Sequence, residues 1–264
     1  TGHTHDAIPK AIRIKETLLL SSGSHGKYLG RIDLKVNNGR VVQTSSNLIP
    51  IFSDIIPPDK EIRNLINKVR APFEKECKRV VGETETLLYR RGNFNGSWDD
   101  VICDTIIQER DTEISLSPGF RWGTTILPGQ KITIDDIYAQ TAMNYPEVYR
   151  VEMTGKMIKE LLEDVCDNIF NPDPFFQQGG DMVRVGGLTY TCAPKNDIGK
   201  RISNLRIVST DKLLEANKKY VVGGWGSINP NVEGPPIYKL LENFISQKKI
   251  IKKNNSKVVQ IKGM

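Results

Sequence analysis

Two histidines near the start of the chain are separated by one residue, in the sequence Gly-His-Thr-His-Asp at residues 2–6. Imidazole nitrogens are common ligands of divalent transition metals, and a neutral ring binds a cation without adding negative charge. The preceding glycine lets the backbone approach an ion closely. His3 and His5 are therefore candidate metal ligands, and Asp6 is either a further ligand or a partner that orients His5.

A centre with two metal ions needs more ligands than this motif supplies, because each ion takes about four to six and bridging carboxylates usually hold the pair. No other cluster of ligand-type residues accompanies the motif, and the four cysteines lack the Cys-x-x-Cys spacing of structural zinc sites. We therefore expect the remaining metal ligands to come from sequence that precedes Thr1.

Three further segments combine arginine, glycine, aromatic and amide residues in predicted loops, at residues 89–97, 117–123 and 175–184. A guanidinium is a planar fork that matches the oxygens of phosphate, sulfonate or carboxylate. One such segment alone is more often a surface turn with a salt-bridged arginine, whereas three favour an anion-binding surface. The candidate binding residues are Arg90, Arg91, Asn93, Asn95, Arg121 and Arg184.

The first fifty residues carry strand patterns. Residues 11–20 predict one strand. Residues 28–36 alternate apolar and polar side chains, an Asn-Asn-Gly turn follows, and residues 41–44 provide a return strand, so we expect a hairpin.

A Pro-Pro pair then breaks the chain before Asp59, a suitable N-cap for a helix that continues to about residue 79 and that Pro72 is expected to kink or divide. After it, helical and strand patterns alternate in a way that predicts an α+β fold rather than a regular βαβ series. Helices are expected at about 97–110, with Ser97 as a possible cap, and at 135–142, 154–170 and 236–247. Strands are expected at 113–116, 148–153, 187–191, 202–208 and 220–224.

Composition excludes several classes of protein. The 264 residues are 38% hydrophobic and 26% charged, which is typical of a globular chain, and no stretch approaches the roughly 20 apolar residues that cross a bilayer. The net charge of +6 would suit an anionic substrate or an acidic partner. Because no nucleic-acid motif accompanies this charge, we expect no nucleic-acid partner.

Taken together, these segments resemble a known family. Residues 2–6 resemble the Gly-His-x-His block that closes the metallophosphatase domain of 5′-nucleotidases, and residues 22–30 resemble the strand and turn that follow it. The loops occur in the order of the 5′-nucleotidase C-terminal domain. The resemblance implies that residues 1–56 are the end of a metallophosphatase domain, 57–80 a connector helix, and 81–264 a layered domain of sheets flanked by helices.

Within this superfamily, residues 87–96, 117–125 and 171–188 resemble the SoxB family of sulfur-oxidation thiosulfohydrolases. Nucleotidases more often carry Asn-Gly-Gly-Gly-Ile-Arg in the second loop, whereas this chain has Ser-Pro-Gly-Phe-Arg-Trp, which keeps Arg121 and adds bulk beside it. The resemblance implies a hydrolase with two divalent metal ions, manganese by analogy. A metal-activated water attacks the terminal sulfonate of a carrier-bound cysteine S-thiosulfonate, and sulfate leaves.

By the same resemblance, the carrier is the sulfur-carrier protein SoxYZ, His3 and His5 are metal ligands, and the six loop residues contact the anion or the carrier arm. The other ligands and the acid–base groups would lie in a preceding metallophosphatase domain. We therefore expect no catalytic residue in this chain, no turnover by the chain alone, and a periplasmic location. An oxidising compartment permits disulfides; Cys166 on a predicted helix and Cys192 at the end of a predicted strand are one potential pair.

Two alternatives remain open at the level of sequence. One is a nucleotidase or cyclic-nucleotide phosphodiesterase, with Phe175 or Phe176 stacking on a base. The other is a module that binds a carrier protein through its arginine loops without doing chemistry.

Overall fold

The computed structural model describes residues 2, 5–90, 92–120, 123–141, 145–227, 229, 231–253 and 258–263. The chain divides into two compact units, residues 1–72 and 73–264, and this division falls inside the segment predicted as a connector. In chain order the elements are β1 (Ile12–Ile14), β2 (Thr17–Leu19), β3 (Tyr28–Asn37), β4 (Arg40–Pro50), α1 (Lys60–Arg70), a 3₁₀ turn (Ala71–Phe73), α2 (Glu74–Cys77), β5 (Val80–Thr84), α3 (Ser97–Arg110), β6 (Ile114–Ser117), β7 (Lys131–Thr133), α4 (Ile134–Thr141), β8 (Tyr149–Thr154), α5 (Gly155–Phe170), a second 3₁₀ turn (Pro174–Phe176), β9 (Arg184–Gly186), β10 (Leu188–Cys192), β11 (Ile202–Ile207), β12 (Lys212–Leu213), β13 (Lys219–Gly224), α6 (Ile237–Lys248), β14 (Ile250–Ile251) and β15 (Val259–Ile261).

The first unit contains two hairpins. Strands β3 and β4 pair antiparallel, and the turn between them places Asn38 at φ +47° and Gly39 at φ +73°. Two successive positive φ values are the geometry that favours Asn-Gly in tight hairpins. The predicted hairpin is confirmed, with a return strand that extends to Pro50.

The prediction of a single strand over residues 11–20 is wrong. Strands β1 and β2 form an antiparallel pair in which Ile12 lies opposite Leu19, and Lys15 takes the positive φ of the turn between them. The turn contains neither glycine nor proline, and so nothing in the sequence separates the apolar residues on its two sides into two strands.

Helix α1 begins where the sequence predicted. The Asp59 carboxylate accepts a hydrogen bond from the Ile62 amide at 2.9 Å, which satisfies one of the free N–H groups of the first turn. The helix ends at Arg70, and the chain continues through the 3₁₀ turn into α2. Since Pro72 has no N–H to donate, the predicted division of the helix is confirmed.

The second unit is built around a sheet with the strand order β8-β13-β6-β9. Helix α3 packs on one face, against β6, β9 and β13. On the other face, apolar residues of β6 and β13 share a buried cluster with α5, β10 and β11. Two further sheets have the orders β12-β11-β10-β15 and β14-β5-β7, and a second buried cluster joins β5 and β7 to α3, α4 and α6.

Two glycines bring α3 close to this sheet. A Cβ atom at Gly186 would lie 2.7 Å from the Cys103 Cβ, and one at Gly223 would lie 2.6 Å from the Ile106 Cγ2. Only a hydrogen fits at either position. The middle of α3 is therefore held close to the sheet, since both glycines lie beside Ser115 of β6.

Each helix and strand that the sequence predicted after residue 80 is present with ends within one residue of the predicted bounds, which confirms the α+β class. The strands β5, β7, β9, β12, β14 and β15, each two to five residues long, were not predicted. Within the described residues, no helix is long and apolar enough to cross a bilayer.

Candidate functional site

The three arginine- and glycine-rich loops converge at the amino end of α3. The residue at their centre is Asp99, in the first turn of that helix, and its side chain is inaccessible to solvent. One carboxylate oxygen lies 2.8 Å from the Arg90 Nε, and the other lies 3.3 Å from the Arg184 Nε. A single carboxylate thus joins the first loop to the third.

The Arg90 guanidinium connects the first loop to the second. It donates to the Pro118 carbonyl at 2.9 Å and to the Gln140 carbonyl, at the end of α4, at 2.7 Å. Its Cζ atom lies 5.7 Å from the centre of the Phe120 ring, within the range of a cation–π contact.

The Arg184 guanidinium is also fully buried and connects the third loop to the first. It donates to the Gly92 carbonyl at 2.7 Å and lies 3.1 Å from the Asp181 carboxylate. The amide of Met182 also donates to the Asn93 carbonyl at 2.9 Å. Backbone and side chain therefore both fasten the third loop to the first.

The loop that precedes α3 is tightly folded. Gly96 is the N-cap, and a Cβ there would collide with the Tyr89 carbonyl oxygen. The prediction that Ser97 caps the helix is wrong: its hydroxyl donates to the Leu87 carbonyl at 2.5 Å and accepts from the Tyr89 amide at 3.1 Å. Ser97 therefore closes the loop on itself instead of capping the helix.

Burial governs the electrostatics of this cluster. It raises the pKa of the Asp99 carboxyl and lowers the pKa of the Arg90 guanidinium, while attraction between the two groups opposes both shifts. An ionised arginine is the normal state even in a protein interior, so Asp99 is the counter-charge that makes burial of two guanidiniums tolerable.

The predicted binding residues occupy three kinds of position. Arg90 and Arg184 are both interior residues. The Arg90 donors are engaged by Asp99 and two backbone carbonyls. In Arg184 only Nη2 donates hydrogen bonds, and its buried Nε and Nη1 make none to a described residue, so burial itself separates this side chain from a bound anion. Asn95 is partly buried and donates to Asp100 at 2.8 Å, whereas Asn93 is exposed. Arg91 and Arg121 lie outside the described residues.

A cleft of about 310 Å³ opens beside the second and third loops. Its walls include Gly119, Asp181, Val183 and Trp225. The Trp225 indole N–H donates to the Ser117 hydroxyl at 2.8 Å, and its ring packs edge-to-face on Phe120 at 6.0 Å. These contacts hold the second loop against Trp225. One side of the cleft is therefore aromatic, and the Asp181 side chain lies beside it.

The third loop also carries an exposed aromatic pair. Phe175 and Phe176 lie on the second 3₁₀ turn, at 88% and 57% exposure, and their rings meet edge-to-face at 5.5 Å. Asp173 accepts from the Phe175 amide and orders the turn. Large apolar side chains so exposed can provide a contact surface for a ligand or a partner.

The candidate metal ligands lie in the first unit. His3 is outside the described residues, and His5 has a left-handed backbone conformation with φ +60°. The His5 ring is 6.2 Å from that of His25, and its Nδ1 atom is shielded from solvent and makes no hydrogen bond to a described residue. Across the described residues, no three His, Cys, Asp or Glu side chains are grouped so that they could hold a metal ion.

Sequence reasoning missed Asp99 as the centre of the site. Two aspartates in the first turn of a helix normally stabilise its positive end and lie in solvent. No local sequence pattern reveals this role, because the two arginine-bearing loops approach Asp99 only in the folded chain.

Comparison with known proteins gives a consistent assignment. Residues 80–259 match the family model described as "5′-nucleotidase, C-terminal domain". A solved structure of the sulfate thiohydrolase SoxB from Thermus thermophilus, in complex with glycerol, is 32% identical with a TM-score of 0.92, over all of this chain and 50% of that one. A 5′-nucleotidase precursor, also from Thermus thermophilus, is 14% identical with a TM-score of 0.80, over 96% of this chain and 54% of that one, and shares the fold.

Among curated proteins, the trifunctional nucleotide phosphoesterase YfkN of Bacillus subtilis (strain 168) is 26% identical in an alignment of 220 residues that covers 79% of this chain and 15% of that protein. The chain therefore spans about half the length of these solved structures and a smaller share of this relative.

Proposed function

Because the chain belongs to the 5′-nucleotidase C-terminal domain family, we propose that it is the substrate-binding domain of a two-domain, metal-dependent hydrolase of the SoxB type. In this proposal the enzyme releases sulfate from a cysteine S-thiosulfonate carried by a protein such as SoxYZ. Water attacks the sulfonate sulfur, and the bond between that sulfur and the adjacent sulfane sulfur breaks. Sulfate leaves, and the carrier keeps the sulfane sulfur as a cysteine persulfide.

The observation that carries the proposal is the likeness to the Thermus SoxB structure, at 32% identity over the full chain. The second loop supports it. The cleft of about 310 Å³ beside that loop, with Trp225 in its wall, is open to solvent and can accommodate an extended peptide arm.

The roles of the six candidate residues follow from their positions. Arg91, Asn93 and Arg121 are proposed as direct contacts for the anion or the carrier arm. Arg90, Asn95 and Arg184 are proposed to act by holding the loops in place, since their side chains already bind Asp99, Asp100 and backbone carbonyls. No residue of the chain is proposed to be catalytic.

The metal requirement is proposed from the same relationship. A shielded imidazole nitrogen without a described protein partner, as at His5, is a suitable donor for a divalent ion. His3 and His5 would bind one of two metal ions, with manganese the first to test. When bound, these ions would activate water and neutralise developing negative charge.

The test uses the enzyme in which this domain follows its metallophosphatase domain. We expect manganese-dependent sulfate release from thiosulfonate-loaded carrier and little phosphate release from AMP. The 264-residue chain alone should release neither product, and activity of that chain by itself would contradict the proposed division of labour. Fractionation should place the enzyme in the periplasm.

A nucleotide substrate is the second candidate, favoured by the exposed ring pair of Phe175 and Phe176. Replacing both by Ala should raise the KM for AMP by tenfold or more if the rings stack on a base. It should leave the KM for loaded carrier within about threefold if the first proposal holds.

A carrier-binding module without chemistry is the third candidate. Titration of this chain with loaded carrier would give saturable binding in either the first or the third case, and only catalysis by the two-domain enzyme distinguishes them. Arg121→Glu is the charge reversal to use, with Lys200→Glu, which exchanges an exposed charge, as the matched control. Charge reversal at Arg184 would disrupt the buried cluster instead of testing binding.

A further inference from the structure

We propose that Cys166 and Cys192 form an intrachain disulfide that links α5 to the end of β10. Their sulfur atoms lie 3.6 Å apart, both side chains are fully buried, and both thiols are free in the structure. An S–S bond requires an approach to about 2.05 Å, which a modest rotation of the two side chains can provide. This proposal is independent of the reaction that the enzyme catalyses.

The surrounding contacts hold the two sulfur atoms close together. Cys166 lies on the apolar stripe of α5, one turn after Leu162, and Cys192 pairs with Ile202 in the adjacent strand. From α5, the Glu163 carboxylate accepts hydrogen bonds from the backbone amides of Gly199, Arg201 and Ile202 at 2.8 to 3.2 Å. The helix is thus fastened to the strands just before Cys166.

An ion pair fixes the same junction just after Cys166. The Arg201 guanidinium lies 2.5 Å from the Asp167 carboxylate, with the arginine side chain only 3% exposed. The two thiols share one hydrogen bond across the 3.6 Å contact, so the sulfur atoms already face each other in the core. Metal binding is the other chemistry that two adjacent thiols suggest, but no third ligand joins them among the described residues.

Oxidation needs a partner, and a small disulfide such as oxidised glutathione provides it. The thiolate of one of the two cysteines attacks the donor disulfide, a mixed disulfide forms, and the first donor thiol is released. The thiolate of the other cysteine then attacks the protein sulfur of the mixed disulfide and releases the second donor thiol. Two protein thiols are oxidised and one donor disulfide is reduced. Because both sulfurs are buried in the folded chain, we place this exchange during folding.

The bond would have a structural consequence for the candidate site. Cys166 and Cys192 are separated by 26 positions, and the closed loop contains Phe175, Phe176 and Arg184. The disulfide would therefore tether both ends of the third loop and lower its conformational freedom in the unfolded chain.

The experiment refolds the 264-residue chain in a buffer of reduced and oxidised glutathione, then quenches it with acid and alkylates the free thiols. The variant Cys77→Ser/Cys103→Ala keeps only the proposed pair, and the variant Cys166→Ala/Cys192→Ala keeps only the other two cysteines. We expect the first to lose two hydrogens in mass and resist alkylation, while the second takes up two alkyl groups.

Trypsin without reductant should give the peptides 160–184 and 185–195 as one linked species from the unsubstituted chain, a result that does not depend on any variant folding. The oxidised chain should melt about 5–10 °C higher than its reduced form, and the shift should vanish in Cys166→Ala/Cys192→Ala. Full alkylation of Cys166 and Cys192 in refolded protein, or a linked species that involves Cys77 or Cys103 instead, would overturn the proposal.

Discussion

At the scale of single residues, the Asp99 carboxylate is the group on which the three loops depend. It is the shared counter-charge of Arg90 and Arg184, and all three side chains are inaccessible to solvent. Removing one partner from a buried ionic cluster is costly because the remaining charge stays desolvated and unpaired.

We predict that Asp99→Asn, which keeps the shape of the side chain, lowers the free energy of unfolding of the second unit by about 3–5 kcal/mol. Urea titration followed by tryptophan fluorescence measures it, since all three tryptophans lie after residue 72. The matched control is Glu160→Gln, which removes an exposed pair with Lys156 and should cost about 0.5 kcal/mol or less. Equal effects of the two substitutions would show that Asp99 is not the central counter-charge.

A second prediction concerns Asp167 and pH. Hydrogen bonds from Arg201, the larger effect, and from Asn171 lower the pKa of the Asp167 carboxyl. A lowered folded-state pKa contributes stability above the unfolded value of about 3.9, and this stability is lost as pH falls through the folded pKa.

Asp167→Asn should therefore lower the urea midpoint at about pH 7 and have a much smaller effect near pH 3. Asp164→Asn, an exposed change on the same helix, is the control and should leave the difference between the two pH values unchanged. A loss of the same size at both pH values would contradict the ionic origin of the effect.

At the scale of elements, the close packing of α3 on the central sheet depends on two glycines, Gly186 and Gly223. Gly223 faces Ile106 across a gap that a methyl group cannot enter without displacing the helix. Since the amino end of α3 carries Asp99, a shift of the helix would also move the loop cluster.

We predict that Gly223→Ala costs about 1–3 kcal/mol through overpacking and that Ile106→Ala costs about 2–5 kcal/mol through a cavity. The double variant should be more stable than the sum of these losses by over about 0.5 kcal/mol, because the new methyl occupies the space that Ile106 vacates. Equilibrium unfolding of the four proteins measures the coupling, and additive losses would mean that the two groups do not compete for space.

At the scale of the whole molecule, the two units differ in how much they bury. Ser21 is the single fully buried residue among those described in the first unit, whereas two hydrophobic clusters occupy the second. Segments with few buried contacts open with a low free energy, and so they exchange amide hydrogens and are cleaved early.

Limited proteolysis should therefore remove residues within 1–72 before it cuts 73–264, and the amides of β3 and β4 should exchange faster than those of α3 and β6. A chain that contains only residues 73–264 should keep the melting temperature of the second unit within about 3 °C. Loss of folding in that shorter chain would show that the second unit depends on the first.

Local sequence determined the elements and the hairpin turn because the signals involved are short-range. The Asn-Gly pair supplied the positive φ values of the β3–β4 turn, Asp59 supplied a helix cap, and the period of apolar residues gave α3 to α6 within one residue. Motifs that are collinear along the chain likewise indicated the family, which the match over residues 80–259 confirms.

Only the tertiary structure decided what the arginines do. Beside glycines in a predicted loop, Arg90 and Arg184 have the local sequence of exposed anion-binding residues, yet each is buried against Asp99 and against carbonyls from distant parts of the chain. Burial depends on which segments meet, and that is a property of packing over long separations rather than of neighbouring residues. The proximity of Cys166 to Cys192 arises in the same way, since a helix and a strand place two thiols together only after both have packed into one core.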